Sequence, residues 1–246
     1  MNKKFQKVLE INSLTNSKVI TATLGETTGD FILSSDESKC THLYKRGSIT
    51  PINKLKTNSL ITKLILSESR EEFLTGSQGG LIQGYDLNNL NKAKYALAGH
   101  STGISAMSFS QKYEPSSDQN KNPLQDSISE TTLNVSQLLI NQTKYNSSTS
   151  NNLLATGAVD GKIKLWDIRS KFNCVINIKG HSLQIQDLSI SPDLSYIAST
   201  SEDKTVRIWD LRLGGELVKE IKDKTQAATT CVVFNPFTTT LIFGSK

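Results

Sequence analysis

Ser199, His181 and Asp203 are the residues of this sequence that most invite a chemical reading. A hydroxyl, an imidazole and a carboxylate are the nucleophile, general base and orienting group of acyl transfer, and such groups need not be neighbours in sequence. Against that reading stands a second copy of the same pattern. Residues 152–168, NLLATGAVDGKIKLWDI, and 195–211, SYIASTSEDKTVRIWDL, repeat small residues, an acidic turn, alternating apolar positions and Trp-Asp. Gly99-His100 stands upstream of the first and Gly180-His181 upstream of the second. The two tryptophans, Trp166 and Trp209, are 43 residues apart. A reaction centre occurs once per site, whereas a grouping that recurs at a fixed period and ends each time in Trp is architectural.

Other candidate chemistry is thinner. Gly157-Ala158-Val159-Asp160-Gly161-Lys162 is one residue short of a phosphate-binding loop, and Ile163 occupies the place of the magnesium-binding Ser or Thr. The carboxylates show no glycosidase-like pairing, and the three histidines offer no metal-ligand spacing. Cys40, Cys174 and Cys231 are odd in number and far apart, so neither a disulfide framework nor a zinc site is expected, only free thiols in strands. No enzyme, no cofactor and no metal are expected.

The elements that must position these residues are hairpins. Leu154–Thr156 suits an inner strand, Val159-Asp160-Gly161 a reversal, and Lys162–Trp166 a second strand of period two. Asp-Gly suits the positive φ of a two-residue turn, and the second copy has Asp203-Lys204 instead. One hairpin cannot bury both its faces, so further strands and neighbouring copies must cover it.

A period near 43 with Gly-His upstream and Trp-Asp at the end resembles the WD-repeat β-propeller family. That resemblance implies a hydrogen-bonded set inside each blade. By position it comprises His100, Thr156, Asp160 and Trp166 in one blade, and His181, Ser199, Asp203 and Trp209 in the next. The physical reason is that a half-buried imidazole, hydroxyl and indole N–H each need a partner, and one carboxylate accepts from more than one of them.

Worn copies precede the clear ones. Phe31–Ser35 with Cys40–Tyr44, and EFLTGSQGGLIQGYDL at 72–87, follow the template with Tyr44 and Tyr85 replacing Trp. Both lack the upstream His and the turn Asp, so their internal hydrogen bonding must be weaker or differently arranged. Phe5–Ile11 suits an opening strand, and Val19–Leu24 begins the first blade. Ile104–Phe109 begins a blade whose hairpin arrives only at Leu153. The intervening 111–151, rich in Asn, Gln, Ser and Thr, reads as an exposed, disordered low-complexity insertion. After Trp209 come Glu216–Ile221, Ala228–Phe234 and Thr240–Gly244, where the chain stops within a hairpin. The expected fold over 1–246 is all-β, a single incomplete propeller of about four and a half blades from a ring of about seven. The expectation is a part of a longer propeller, or a piece that a second chain completes.

Composition bounds the function. The 246 residues are 36% hydrophobic and 21% charged, and no apolar run is long enough to span a membrane. The N-terminal MNKKFQKVLEIN has no continuous apolar segment or small-residue cleavage site, so a cytosolic or cytoskeletal location is expected. The net charge of +5 gathers early, at Lys3, Lys4, Lys7, Lys18, Lys39, Lys45, Arg46, Lys54, Lys56 and Lys63. Such a bias suits a plain solvated Lys-rich face, or an acidic partner surface for which tubulin tails and nucleic acid both qualify. No Arg-rich run interleaves with aromatics, so nucleic acid is not expected as a partner, nor is a membrane.

Within the family, residues 152–245 resemble the propeller of the non-catalytic regulatory subunit of katanin, the microtubule-severing complex. The likeness rests on KLWDIRSKFNC (164–174), KGHS (179–182), SPD (191–193), SEDKTVRIWDL (201–211), FNP (234–236) and Phe243-Gly244-Ser245. It implies a scaffold that binds other proteins and targets microtubules or axonemal complexes, in the cytoplasm or a cilium. The insertion at 111–151 departs from that pattern. An alternative rests on Trp166-Asp167-Ile168-Arg169 and Trp209-Asp210-Leu211-Arg212, which resemble the WDxR element of cullin-RING ligase substrate receptors. There Arg169 and Arg212 would meet the adaptor.

Overall fold

A computed structural model describes residues 17–25, 30–48, 50–67, 71–110, 153–168, 173–222, 227–235 and 240–245. The expected opening strand Phe5–Ile11, the insertion 111–151 and Arg169 lie outside the described residues. The described chain is all strand and connection, divided into two compact units, residues 1–105 and 106–246.

Four antiparallel sheets of four strands and one of two strands account for it. The first holds β1 (Val19–Leu24), β2 (Phe31–Asp36), β3 (Cys40–Lys45) and β4 (Asn53–Lys56), and the second β5 (Ile61–Ser67), β6 (Glu72–Ser77), β7 (Leu81–Asp86) and β8 (Tyr95–Ala98). The third joins β9 (Ile104–Phe109), β10 (Leu153–Ala158), β11 (Lys162–Asp167) and β12 (Asn173–Lys179). The fourth joins β13 (Ile185–Ile190), β14 (Tyr196–Ser201), β15 (Thr205–Asp210) and β16 (Glu216–Lys222), and the last pairs β17 (Thr229–Phe234) with β18 (Leu241–Ser245). In every sheet the strands are neighbours in chain order, so each sheet is a simple meander. The expectation of four and a half blades matches this strand inventory. Sequence reading had not separated the fourth strands β4, β8 and β12. β4 and β8 are four-residue strands at their sheets' outer edges, whereas β12 runs seven residues and buries Ile176 and Ile178.

Period two sorts each central strand. In β10 and β11, Leu153, Ala155, Ile163 and Leu165 face one way and enter a core with Ile185, Leu188, Ile197 and Trp209 of the fourth sheet. The opposite face of the fourth sheet packs Ala198 and Val206 on Val232 and Phe234 of β17. In the first unit, Leu33 and Leu43 meet Ile61, Leu64, Phe73 and Tyr85. A fully buried Leu or Ile contributes about 1.5–3 kcal/mol, so face-to-face stacking of sheets stabilises what no lone hairpin can.

The turns differ from the two-residue type expected. Each of the four inner hairpins closes through three residues. The amide of the third donates back to the last residue of the outgoing strand: Lys39 to Asp36, Gly80 to Ser77, Gly161 to Ala158 and Lys204 to Ser201. That third residue has φ of 63°, 79°, 74° and 68° respectively. A three-residue loop ending in a left-handed residue preserves the strand register while adding one residue to the turn.

Candidate functional site

His181, Ser199, Asp203 and Trp209 converge inside the fourth sheet. Period two puts Ser199 on β14 and Trp209 on β15 on one face, while the connection from β12 to β13 brings His181 against them. The Trp209 indole N–H donates to Ser199 Oγ at 2.8 Å, and Ser199 Oγ lies 2.7 Å from His181 Nε2. His181 Nδ1 lies 2.8 Å from Asp203 Oδ2. With a neutral imidazole the order is fixed: Ser199 donates to Nε2, and Nδ1–H donates to the carboxylate. The two rings meet edge to face, 5.9 Å between centroids.

Asp203 anchors the arrangement through several further donors. Its carboxylate accepts from the Ser182 amide at 3.2 Å, the Thr205 amide at 3.1 Å and the Thr205 hydroxyl at 2.6 Å. Burial pushes its pKa up, but these bonds and His181 outweigh it and hold the carboxyl below the usual range. Burial likewise governs His181 and holds the imidazole below its ordinary value despite Asp203 beside it. Arg207 closes the outer side, donating to the Gly180 carbonyl and pairing with Glu220 at 3.0 Å.

The order Ser–His–Asp is that of a nucleophile, base and orienter, but access is wanting. Ser199 is 0% exposed and the His181 side chain likewise, and the indole N–H already occupies the hydroxyl oxygen that would attack. A substrate carbonyl has no approach to that oxygen. What the set does chemically is satisfy four buried polar groups with one another.

A pH dependence follows. Because folding depresses the His181 pKa from about 6.5, protonation favours the unfolded chain, and this stability is present above 6.5 and lost as pH falls through the folded value. Asp203, also depressed, adds a loss only below about 3.8. Urea midpoints should therefore fall between pH 7 and 5, and His181→Gln should flatten that decline. Identical slopes for wild type and variant would contradict a buried neutral imidazole.

In the third sheet the Trp166 indole N–H donates to Thr156 Oγ1 at 2.9 Å, and Asp160 accepts from the Lys162 amide at 3.2 Å and its ammonium at 2.7 Å. Thr156, Asp160 and Trp166 belong to the second unit and His100 to the first, where His100 is buried.

The worn sheets solve the same problem with other residues. In the second, Thr75 donates to the Gln83 carbonyl and Tyr85 stacks on Phe73 at 5.3 Å. In the first, Asp36 accepts from Ser38 at 2.6 Å and the Cys40 amide at 3.0 Å, and lies 3.2 Å from His42 Nε2. Burial pushes Asp36 upward, yet these partners together hold it below the usual carboxylate range. One backbone N–H, the first residue of the returning strand, is capped in all four hairpins: Cys40 by Asp36, Leu81 by Ser77, Lys162 by Asp160 and Thr205 by Asp203. Sequence reading missed Asp36, His42 and Ser77. The signal was a short acceptor at the end of the outgoing strand instead of in the turn.

Arg212 folds back along its own sheet with its side chain 40% exposed. Its guanidinium grips Asp210 at 3.0 and 2.6 Å, donates to the Tyr196 hydroxyl at 2.7 Å and lies over that ring. Asp210 is held below the ordinary carboxylate range, chiefly by that guanidinium. Cys40, Cys174 and Cys231 are free thiols in strands. Among the described residues no group of three or more His, Cys, Asp or Glu side chains could hold a metal ion, and no helix is long and apolar enough to cross a membrane.

Residues 136–167 and 172–210 match the family described as WD domain, G-beta repeat. It is 38% identical over 89 residues to nuclear distribution protein PAC1-2 of Uncinocarpus reesii, a stretch that is 36% of this chain and 19% of that protein. Nuclear distribution protein nudF 2 of Aspergillus clavatus is 39% identical over 83 residues, covering 34% of this chain and 19% of that protein. The matched stretches thus span about a fifth of the length of these relatives. A chain in the crystal structure of the mitotic checkpoint complex superposes with a TM-score of 0.69 at 15% identity, over 93% of this chain and 58% of that one. The fold is all-β and consistent with an incomplete propeller.

Proposed function

We propose that this protein is a non-catalytic scaffold that docks other proteins onto the microtubule cytoskeleton of the cytoplasm or cilium. The observation that carries the reading is the sealed Ser199 hydroxyl: the residues best suited to catalysis are consumed as internal fastenings. What a meander of stacked sheets offers outward is its loops and edge strands, the usual means by which such scaffolds bind. The relatives named nuclear distribution proteins support a role in placing a cargo instead of transforming a substrate. Likeness to the katanin regulatory subunit, carried by KLWDIRSKFNC, KGHS and SEDKTVRIWDL, narrows the role to microtubule targeting.

Co-sedimentation with polymerised tubulin tests it. The protein should pellet with polymer at low ionic strength and release progressively as salt approaches physiological strength, where surface charges are screened beyond about 8 Å. Recovery of the protein wholly in the supernatant at low salt would overturn the microtubule assignment.

A further inference from the structure

The exposed charge of the first unit is one-sided. Among described residues 17–67, Lys18, Lys39, Lys45, Arg46, Lys54 and Lys56 are exposed, while Glu37 is the one exposed acid. Asp36, which would otherwise offset them, is 2% exposed and engaged by Ser38, Cys40 and His42.

Strand β4 gives part of that charge a regular form. It is the last strand of its sheet and, among the described residues, pairs only with β3, which leaves one side of its backbone open to a further strand. Its register sets Lys54 opposite His42 and Lys56 opposite Cys40, while Leu55 on the other face packs into the core. Ile52, Lys54 and Lys56 therefore project outward at alternate positions, about 7 Å apart, with Ile52 55% exposed. Neither lysine has an ion-pair partner among the described residues. The other outer strands differ: β16 neutralises itself, with Glu220 held by Lys222 at 3.1 Å and by Arg207 at 3.0 Å, β12 carries the single exposed Lys179, and β8 carries no charge.

We propose that the outer edge of β4 is a docking site for an extended acidic peptide of a partner protein. The segment adds as a fifth strand, with carboxylates at alternate positions against Lys54 and Lys56 and an apolar side chain against Ile52. The inference rests on reading the protein as a docking platform, and it supplies that platform's contact surface. Main-chain pairing gives an added strand its affinity, and alternate side chains give it specificity. The two lysines also act selectively, because like charges oppose pairing with a second copy of this edge while opposite charges draw an acidic strand.

The test is fluorescence anisotropy of the whole chain with a labelled twelve-residue peptide in which Glu alternates with Thr and one end carries Val. Binding should weaken about tenfold in Lys54→Glu/Lys56→Glu, be intermediate in Lys54→Gln/Lys56→Gln, and stay within about twofold of wild type in Lys219→Glu/Lys222→Glu. That last variant makes the same charge change on β16. A peptide of the same composition with its Glu residues in one block should bind several-fold more weakly. Equal losses in both charge-reversal variants would mean that net charge alone is sensed, and would overturn the site, as would no binding. A single-stranded oligonucleotide that outcompetes the peptide would overturn the assignment of the partner as protein. Unchanged melting of each variant separates these outcomes from misfolding. Retention on tubulin polymer with no effect of the β4 variants would sink this surface while leaving the microtubule reading intact.

Discussion

Trp209→Ala should lower the stability of the chain by about 4 kcal/mol, a large share of the 5–15 kcal/mol that holds an ordinary domain together. Two losses add. The indole is 3% exposed and sits in the core shared by the third and fourth sheets with Ile163, Ile176, Ile178 and Ile197. Its removal leaves a void into which backbone on both sides can only partly relax. Ser199 also loses its indole donor, although it keeps His181. Trp209→Phe goes far to separate the two, because it retains most of the apolar surface while removing the N–H and a few ring atoms, and should cost about 1–2 kcal/mol. Thermal melting reads both, with the Ala variant shifted down by roughly 10 °C. A shift of a degree or two for Trp209→Ala would mean that the ring is not the wedge between these sheets.

How far the sequence disclosed this depends on which kind of order is asked for. Hairpins were legible because burial on both faces forces a pattern: in the fourth sheet Ile197 and Trp209 pack on Ile163 and Leu165 of the third, while Ala198 and Val206 face Val232 and Phe234. The fastening of the fourth sheet was expected because its four members recur at a period in a neighbouring copy. The equivalents in the first two sheets were not, because the requirement there is a capped N–H and not a residue type. Asp36 and Ser77, two positions before the expected turn acid, cap the same amide that Asp160 and Asp203 cap in later sheets. An expectation tied to Asp at one site reads such a sheet as deficient when its bond is made from elsewhere. The turn length was misjudged for a related reason. Asp-Gly permits both two-residue and three-residue loops, and the choice lies with strand pairing beyond the local segment. The role of Arg212 was hidden as well, since its reach to Tyr196 and Asp210 depends on β14 and β15 being side by side.

Three-residue turns make a second prediction, and two glycines of the same sign of φ provide its control. Gly161 (φ 74°) and Gly214 (φ 75°) both occupy left-handed backbone, where any other residue costs about 1–2 kcal/mol. They differ in what a methyl would meet. At Gly214 nothing lies within 4 Å, so Gly214→Ala should cost about 1 kcal/mol, the conformational penalty alone. At Gly161 the new carbon would stand 2.4 Å from the His181 carbonyl oxygen and 2.9 Å from that of Leu183. Those are backbone atoms, and the first belongs to the residue whose imidazole fastens Ser199 and Asp203. The clash therefore displaces either the β10–β11 turn or the His181 segment, and Gly161→Ala should cost about 3–5 kcal/mol, with the His181 hydrogen bonds weakened along with it. Gly80, at φ 79° and with an added carbon that would stand 2.3 Å from the His100 carbonyl oxygen, should behave in the first unit as Gly161 does in the second. Urea denaturation of the three Ala variants gives the ranking, and equal destabilisation at Gly161 and Gly214 would show that φ alone, and not the seating of each turn on the following Gly-His segment, sets the need for glycine.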